Sequence, residues 1–243
     1  MCIRDRTAVV TLTVTEAGYR LLPSGEPNTA DPVMADDLSV LAGQGAPVSP
    51  LARLVAALDS RRLRHGEPIA IVPCDNIPAN GSFVSTGVLA LAERRSGALA
   101  EWVAASVSFV STSVDRITPR LADADRATAA RLTGRADAVP VVTEPFHDWV
   151  LSGAFPAGRP AWERRGAMFV DDVGPFERRK LWLLNGAHSL LAYQGLVRGH
   201  RFVAEAVADE SCRAGILHFW EEARRALPSS AGDLDAYCDA LLE

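Results

Sequence analysis

The 243-residue sequence predicts an α/β domain with a parallel sheet, followed by an all-α domain. Up to about residue 164, short apolar strands alternate with amphipathic helices, and this alternation is typical of a parallel sheet covered by helices. From residue 165 to residue 243 the strand signal fades, while apolar residues continue to recur at helical spacing. We therefore expect one domain at 1–164 and a second at 165–243.

Four segments of the first domain have the composition of β-strands, because they are short, apolar and rich in β-branched residues. They are Thr7–Thr15, Pro68–Pro73, Val107–Val114 and Ala138–Thr143. Polar residues follow two of them: Asn76 comes shortly after the second strand, and Asp115 directly after the third. Ligands of open α/β sheets bind beyond the carboxyl ends of the strands, so both side chains are candidates for a binding site.

Helices are predicted between and after these strands. Ser49-Pro50 has the pattern of an N-cap followed by proline at the first helical position. The stretch 82–106 predicts two helices with a break near Ser96-Gly97, and 118–134 predicts a loop and a helix. Long helices are expected over 174–227, interrupted near Gly199-His200, and a final helix over 230–243.

Composition excludes several classes of protein. The sequence is 48% apolar and 23% charged with a net charge of −5, so neither nucleic acid nor an anionic membrane is expected as a partner. No apolar run approaches the roughly 20 residues that span a bilayer. No secretory signal is visible, so a cytoplasmic location is expected. The four cysteines and five histidines lack metal-ligand spacing, so no metal site is expected.

The glycine-rich turn that binds dinucleotide phosphates is missing from the sequence. Gly43-Gln44-Gly45 is followed by Ala46-Pro47 and not by a helix, which favours a loop. Two explanations remain open: the fold is of another kind, or its first part lies outside this chain. The sequence therefore identifies no cofactor-binding residue.

Lys180 is the only lysine among 25 basic residues. Arginine does not release its proton at useful pH, whereas a desolvated lysine does, so the lone lysine marks a candidate site of proton transfer. On an α-helical wheel Glu177 lies about 60°, His188 about 80° and Asn185 about 140° from Lys180. The alternative is that these polar groups only satisfy neighbouring backbone or water.

Several stretches resemble the mannitol dehydrogenase family of polyol-specific long-chain dehydrogenases. Lys180, Asn185 and His188 in KLWLLNGAH match the K-x-x-x-x-N-x-x-H signature of that family. TVTEAGY (13–19), PCDNIPANG (73–81), VDRITP (114–119) and GRPAWERRGAMFVDDVGPFE (158–177) are also similar and stand in the family's order. The resemblance extends from about Ala8 onward, and Met1–Arg6 is not expected to belong to it.

The resemblance implies a metal-independent oxidoreductase that uses NAD or NADP. It implies that a secondary alcohol of a polyol or aldonate is interconverted with a ketose or ketouronate, of the mannitol/fructose or mannonate/fructuronate type. The residue roles that it implies are general base for Lys180, alkoxide stabilisation for Asn76 and Asn185, proton exit for Glu177, and binding of substrate hydroxyls for His188 and Asp115. The fold it implies is an incomplete Rossmann-like domain, without its glycine-rich βαβ unit, and part of a helical catalytic domain.

Other interpretations of the same residues remain open. Asn76 is also suited to capping a turn, Asp115 to an ordinary salt bridge and His188 to a structural role in a helix. The carboxyl end stops before the usual length of the family. The chain is therefore either part of an active dehydrogenase, inactive on its own, or a non-catalytic remnant that acts as a helical interaction module. The oligomeric state is open.

Overall fold

The structure is a computed structural model that describes residues 7–43 and 45–242. The expectations for Met1–Arg6 and Gln44 lie outside the described residues. Within the described ranges, no helix is both long enough and apolar enough to cross a lipid bilayer.

A three-stranded parallel sheet forms the centre of the first domain. Its strands are β1 (Val9–Leu12), β2 (Ile69–Pro73) and β3 (Val107–Phe109), in the order β1-β2-β3. All five residues of β2 are buried, which is the environment expected for a continuous apolar run in a parallel sheet. The predicted first strand is correct in position but shorter, since only four residues pair with β2.

Five helices, three of which begin at a side-chain cap, share a hydrophobic core with this sheet. They are α1 (Glu16–Tyr19), α2 (Pro32–Ala42), α3 (Pro50–Arg64), α4 (Asn80–Arg95) and α5 (Gly97–Ser106). The Ser49 side chain accepts from the N–H of Ala52 at the start of α3, and Ser96 caps α5 in the same way. The predicted helix break near Ser96-Gly97 is confirmed.

The predicted strand Val107–Val114 is divided between two sheets. Its second half forms β4 (Ser111–Asp115), which pairs antiparallel with β5 (Asp148–Ser152), and β5 pairs parallel with β6 (Met168–Phe169). The division occurs at Val110, which packs against Gly153. Gly153 has φ 143°, and a Cβ there would lie 3.0 Å from the Val110 backbone, so glycine permits this crossing.

The prediction of a strand at Ala138–Thr143 is wrong. These residues form an irregular segment after α6 (Asp123–Thr133), and Val139 and Val141 are 74% and 77% exposed. Pro140 in the middle of the run has no N–H for a ladder, and no neighbouring strand pairs with it within the described ranges. The strand forms instead at β5, ten residues later.

The region after residue 165 is helical apart from β6, a two-residue strand that the sequence did not predict. Its helices are α7 (Gly174–Arg179), α8 (Gly186–Val197), α9 (Val203–Ala208), α10 (Glu210–Arg224) and α11 (Leu234–Ala240). A π-helical turn, Lys180–Asn185, joins α7 to α8. Leu183, Leu191, Ile216 and Trp220 form part of the core of this domain, and the Trp220 indole donates to the Leu183 carbonyl at 2.7 Å.

Candidate active site

The carboxyl ends of β1 and β2 are tied together by Asp75. Its carboxylate accepts from the N–H groups of Val14 and Thr15, at 2.8–3.1 Å, and from the Tyr19 hydroxyl at 2.6 Å. Burial, followed by the hydrogen bond to Asp75 and the charge of that carboxylate, raises the pKa of Tyr19. The buried carboxylate is thus fully hydrogen-bonded, and it fixes the loop on which the next residue, Asn76, is carried.

Asn80 ties the same loop to β4. Its side chain is completely buried; Nδ2 donates to the carbonyls of Asp75 and Thr112 at 3.0 Å, and Oδ1 accepts from the Thr112 N–H at 2.8 Å. Sequence reasoning missed this residue, although it lies in the PCDNIPANG stretch. An asparagine at the start of a helix has no feature in the sequence that distinguishes a buried connector from an ordinary polar residue.

The π turn sets the face on which the signature residues lie. The N–H of Gly186 donates to the carbonyl of Leu181, five residues earlier, so this turn contains one more residue than an α-helical turn. Residues five apart then lie near each other, as residues four apart do in an α-helix. Asn185 is therefore closer to the Lys180 face than the 140° of the α-helical wheel, and that angle was wrong.

The Lys180 side chain points into the gap between the two domains. The residue is 8% exposed, and its Nζ donates to Asn76 Oδ1 at 3.0 Å and to the Val114 carbonyl at 2.6 Å. Both partners are uncharged, and no carboxylate of the described residues forms an ion pair with Lys180. The structure thus holds the amine in a fixed position by neutral acceptors.

Asp115 and His188 lie near this amine without a direct hydrogen bond to it. Burial is the largest effect on Asp115 and raises the pKa of its carboxyl, while the charge of Lys180 acts in the opposite direction. Glu144 and Asp148 raise it further, and His188 lowers it. The described residues include no ion pair of Asp115, which speaks against an ordinary salt bridge.

Glu177 connects α7 to the start of α4. Its Oε1 accepts from the N–H of Ala79 at 3.0 Å. Ala79 has φ 47°, a left-handed conformation that is strained for a residue with a Cβ. The Glu177 carboxylate therefore stabilises the strained backbone of Ala79.

Three clefts meet at Lys180 and Asn76, which line all of them. The strand-end cleft, about 850 Å³, also contains Thr13, Cys74 and Trp149. The helix cleft, about 800 Å³, adds Asn185, His188 and Glu144, and Asp115 lines both. The loop cleft, about 380 Å³, lies beside Glu177 and Asn185. The structure thus brings all six predicted site residues to the walls of connected clefts.

Among the described residues, one group with possible metal ligands lies elsewhere, at His200, Asp209 and Cys212. The Asp209 carboxylate accepts from the N–H groups of Ser211 and Cys212 at the start of α10, and it contacts the His200 ring at 3.2 Å. These contacts explain the group as a helix cap.

Family models match both parts of the chain. The mannitol dehydrogenase Rossmann domain matches residues 2–164, and the mannitol dehydrogenase C-terminal domain matches residues 172–243. The chain belongs to the mannitol dehydrogenase family. We expected Met1–Arg6 not to belong to the resemblance. The family model matches from residue 2 onward, so this expectation was wrong for residues 2–6. The expected Rossmann-like sheet domain and helical C-terminal domain are confirmed.

Individual members of the mannitol dehydrogenase family are similar over nearly the whole chain. D-mannonate oxidoreductase of Escherichia coli is 38% identical over 99% of this chain and 49% of its own. Mannitol 2-dehydrogenase of Phaeosphaeria nodorum is 38% identical over 97% and 42%. The structure of Pseudomonas fluorescens mannitol 2-dehydrogenase with NAD and D-mannitol is 37% identical, with TM-score 0.80, over 98% and 50%. The chain thus spans about half the length of the curated relatives it matches.

Proposed function

We propose that the protein carrying this chain is an NAD(P)-dependent oxidoreductase that interconverts a secondary alcohol of a polyol or aldonate with the matching ketose or ketouronate. One observation carries the proposal: the lone lysine is buried between two uncharged acceptors, where three clefts meet. In this scheme the proton acceptor is an amine, so the reaction requires no metal ion. We place the domain boundary near residue 165 and the reaction in the cytoplasm.

The geometry around Lys180 suits a general base. In its neutral form the amine has two N–H bonds and one lone pair. Asn76 Oδ1 and the Val114 carbonyl take the two N–H bonds, so the lone pair is left for the hydroxyl of a substrate. A secondary alcohol is too weak an acid to ionise unaided, and such a base contributes about 10²–10⁴-fold to the rate.

Two side-chain amides are placed to stabilise the developing alkoxide. Since Oδ1 of Asn76 is bonded to Lys180, its Nδ2 is available as a donor, and the Asn185 amide lines two of the same clefts. A donor of this kind contributes about 3 kcal/mol to the stabilisation of the transition state. An asparagine amide donates hydrogen bonds without adding a titrating group, so it does not compete with Lys180 for the proton of the substrate.

The remaining signature residues suit binding of the polyol and exit of the proton. His188 and Asp115 line the helix cleft with Asn185, and a donor–acceptor pair of this kind matches neighbouring hydroxyls of a sugar alcohol. Glu177 lines the loop cleft with Lys180 and is half-buried, so we assign it the transfer of the proton toward solvent.

The strand-end cleft fits the nicotinamide end of the cofactor. It opens at the carboxyl ends of parallel strands, where dinucleotides bind, and Thr13, Cys74 and Trp149 give it a largely apolar wall beside Lys180. With the nicotinamide held beside these residues, the cofactor would supply the acceptor for the hydride of the carbinol carbon. Among residues 7–43 and 45–242 there is no glycine-rich phosphate turn, so we assign this chain only the nicotinamide end.

A panel of substrates tests this function. The protein at the full length of its relatives is purified and assayed with NAD or NADP and mannitol, arabinitol, mannonate or altronate, following absorbance at 340 nm. We expect turnover of at least one polyol or aldonate, insensitive to EDTA, and reduction of the matching ketose or ketouronate. No turnover of any of them with either cofactor would contradict the proposal.

A second candidate function is favoured by one surface. Tyr193, Leu196, Val197 and Phe202, on α8 and the segment before α9, are 65–90% exposed. Exposed apolar side chains grouped along the sequence in this way are typical of interaction sites, so a non-catalytic helical interaction module is the alternative. Turnover in the substrate panel separates the two functions, because a non-catalytic module would show none. We expect no quenching of NADH fluorescence by this chain alone; micromolar NADH binding would show that the missing turn is not needed.

A further inference from the structure

Arg179, the residue before Lys180, is buried at the junction of the two domains. It is 4% exposed, and its guanidinium donates to Asp148 Oδ2 at 2.5 Å and to the Ala231 carbonyl at 3.0 Å. It also lies over the Tyr237 ring at 4.1 Å. A cation so extensively contacted fixes the end of α7 against β5 and the last helical segment.

Its partner Asp148 lies on the active-site side. Asp148 is directly opposite Asp115 in the antiparallel ladder of β4 and β5, and it lines the strand-end cleft with Lys180. Its charge reaches Asp115, because Asp148 is one of the groups that raise the pKa of that carboxyl. Two consecutive cations, Arg179 and Lys180, therefore face two carboxylates that are neighbours across strands.

The two cations, Arg179 and Lys180, have different kinds of partner. Arg179 forms the ion pair with Asp148, whereas Lys180 has only uncharged hydrogen-bond partners among the described residues. A carboxylate beside an ammonium group stabilises the protonated form. A lysine that forms an ion pair with Asp148 would therefore lose its proton only at higher pH, and would be a poor base.

We propose that Arg179 is a positioning residue for Lys180: by neutralising Asp148 it keeps the neighbouring amine free of an ion pair and able to give up its proton. This inference rests on the proposed function for its consequence in catalysis. The state of the Lys180 amine is measurable without substrate or cofactor.

Other charged groups around Lys180 are the same in all variants of the test. The acidic groups lining its clefts, apart from Asp148, are Asp75, Asp115, Glu144 and Glu177. The other titratable or charged groups there are Cys74, Arg116, His147, Arg165, Arg178 and His188. Asp75 and Glu177 already accept hydrogen bonds from backbone N–H groups, so they are less available to an unpaired amine.

The test compares wild type, R179Q, D148N and R179Q/D148N. Because Lys180 is the only lysine of this chain, labelling with [6-¹³C]lysine gives one resonance whose titration reports its protonation directly. We expect the titration midpoint to rise by about one pH unit in R179Q, where Asp148 is left unpaired. It falls in D148N, where the guanidinium is left unpaired, and returns to the wild-type value in the double variant.

In the protein at the full length of its relatives, the pH profiles of kcat/KM for alcohol oxidation shift among the four variants in the same order as the titration midpoints. R179Q moves the profile to higher pH and lowers kcat/KM about tenfold below its midpoint, and D148N in the same chain restores it. A purely structural ion pair predicts lower stability with an unchanged midpoint and profile, and that outcome overturns the proposal. If R179Q does not fold, a midpoint in D148N at or above wild type overturns it. A shifted resonance in a protein without any turnover would contradict the function and leave this inference standing.

Discussion

Replacement of Lys180 by alanine is expected to lower kcat for alcohol oxidation by about 10³–10⁴-fold, because the hydroxyl proton then has no acceptor. K180R is expected to lose nearly as much, since the guanidinium keeps the charge but does not release a proton. The affinity for NADH should change less than about threefold, because the amine faces the reacting end of the cofactor only. Steady-state assays at 340 nm and fluorescence titration measure the two quantities.

Arg201→Ala is the matched control for this experiment. Arg201 is exposed between α8 and α9 and lines none of the clefts at Lys180, so its loss removes one positive charge from the same domain without touching the site. We expect wild-type kcat from R201A. If K180A and R201A retain similar turnover, Lys180 is not the base.

Asn80→Asp is expected to lower the free energy of unfolding by about 3 kcal/mol, although it changes the side-chain volume very little. Nδ2 faces two carbonyls and the Thr112 hydroxyl oxygen, all at 3.0 Å, and an oxygen in its place has no hydrogen to donate to them. The substitution would place a carboxylate among acceptors in a completely buried position, which is strongly unfavourable.

Guanidinium chloride unfolding measures this effect, and Asn28→Asp is its control. The Asn28 Oδ1 only accepts from the N–H of Ala30 in an exposed turn, and a carboxylate oxygen does the same. We expect N28D to stay within about 0.5 kcal/mol of wild type. Equal stability of N80D and N28D would show that the connection between the loop and β4 does not depend on the amide donors.

The residues of the candidate site were predictable because each has a local feature in the sequence. Lys180 stands alone among arginines, while Asn76 and Asp115 follow segments that have the composition of β-strands. The structure brings these residues together, with Asn76 bonded to Lys180. The acceptor at the Val114 carbonyl was not predictable, since every residue has a carbonyl and only the tertiary fold selects one.

The parts that were missed depend on contacts between distant segments. Ala138–Thr143 has the composition of a strand, but strands form only where a partner is present, and β5 rather than this run lies beside β4. Arg179 and Asp148 are 31 residues apart, and nothing local in either sequence stretch predicts their ion pair. The π turn has no residue pattern of its own, so a wheel drawn for an α-helix gave a wrong angle for Asn185.

The extra residue in the turn Lys180–Asn185 also determines the rotational phase of everything that follows it along α8. Removing any single residue of that turn would give a regular helix, with better backbone geometry, yet it would swing the downstream side chains by about a quarter of a revolution. Substitutions on the outer face of this segment are therefore easily tolerated, whereas one-residue deletions are not. Shortening this turn by one residue, more than changing its side chains, would therefore separate the Asn185 amide and the His188 imidazole from the Lys180 amine.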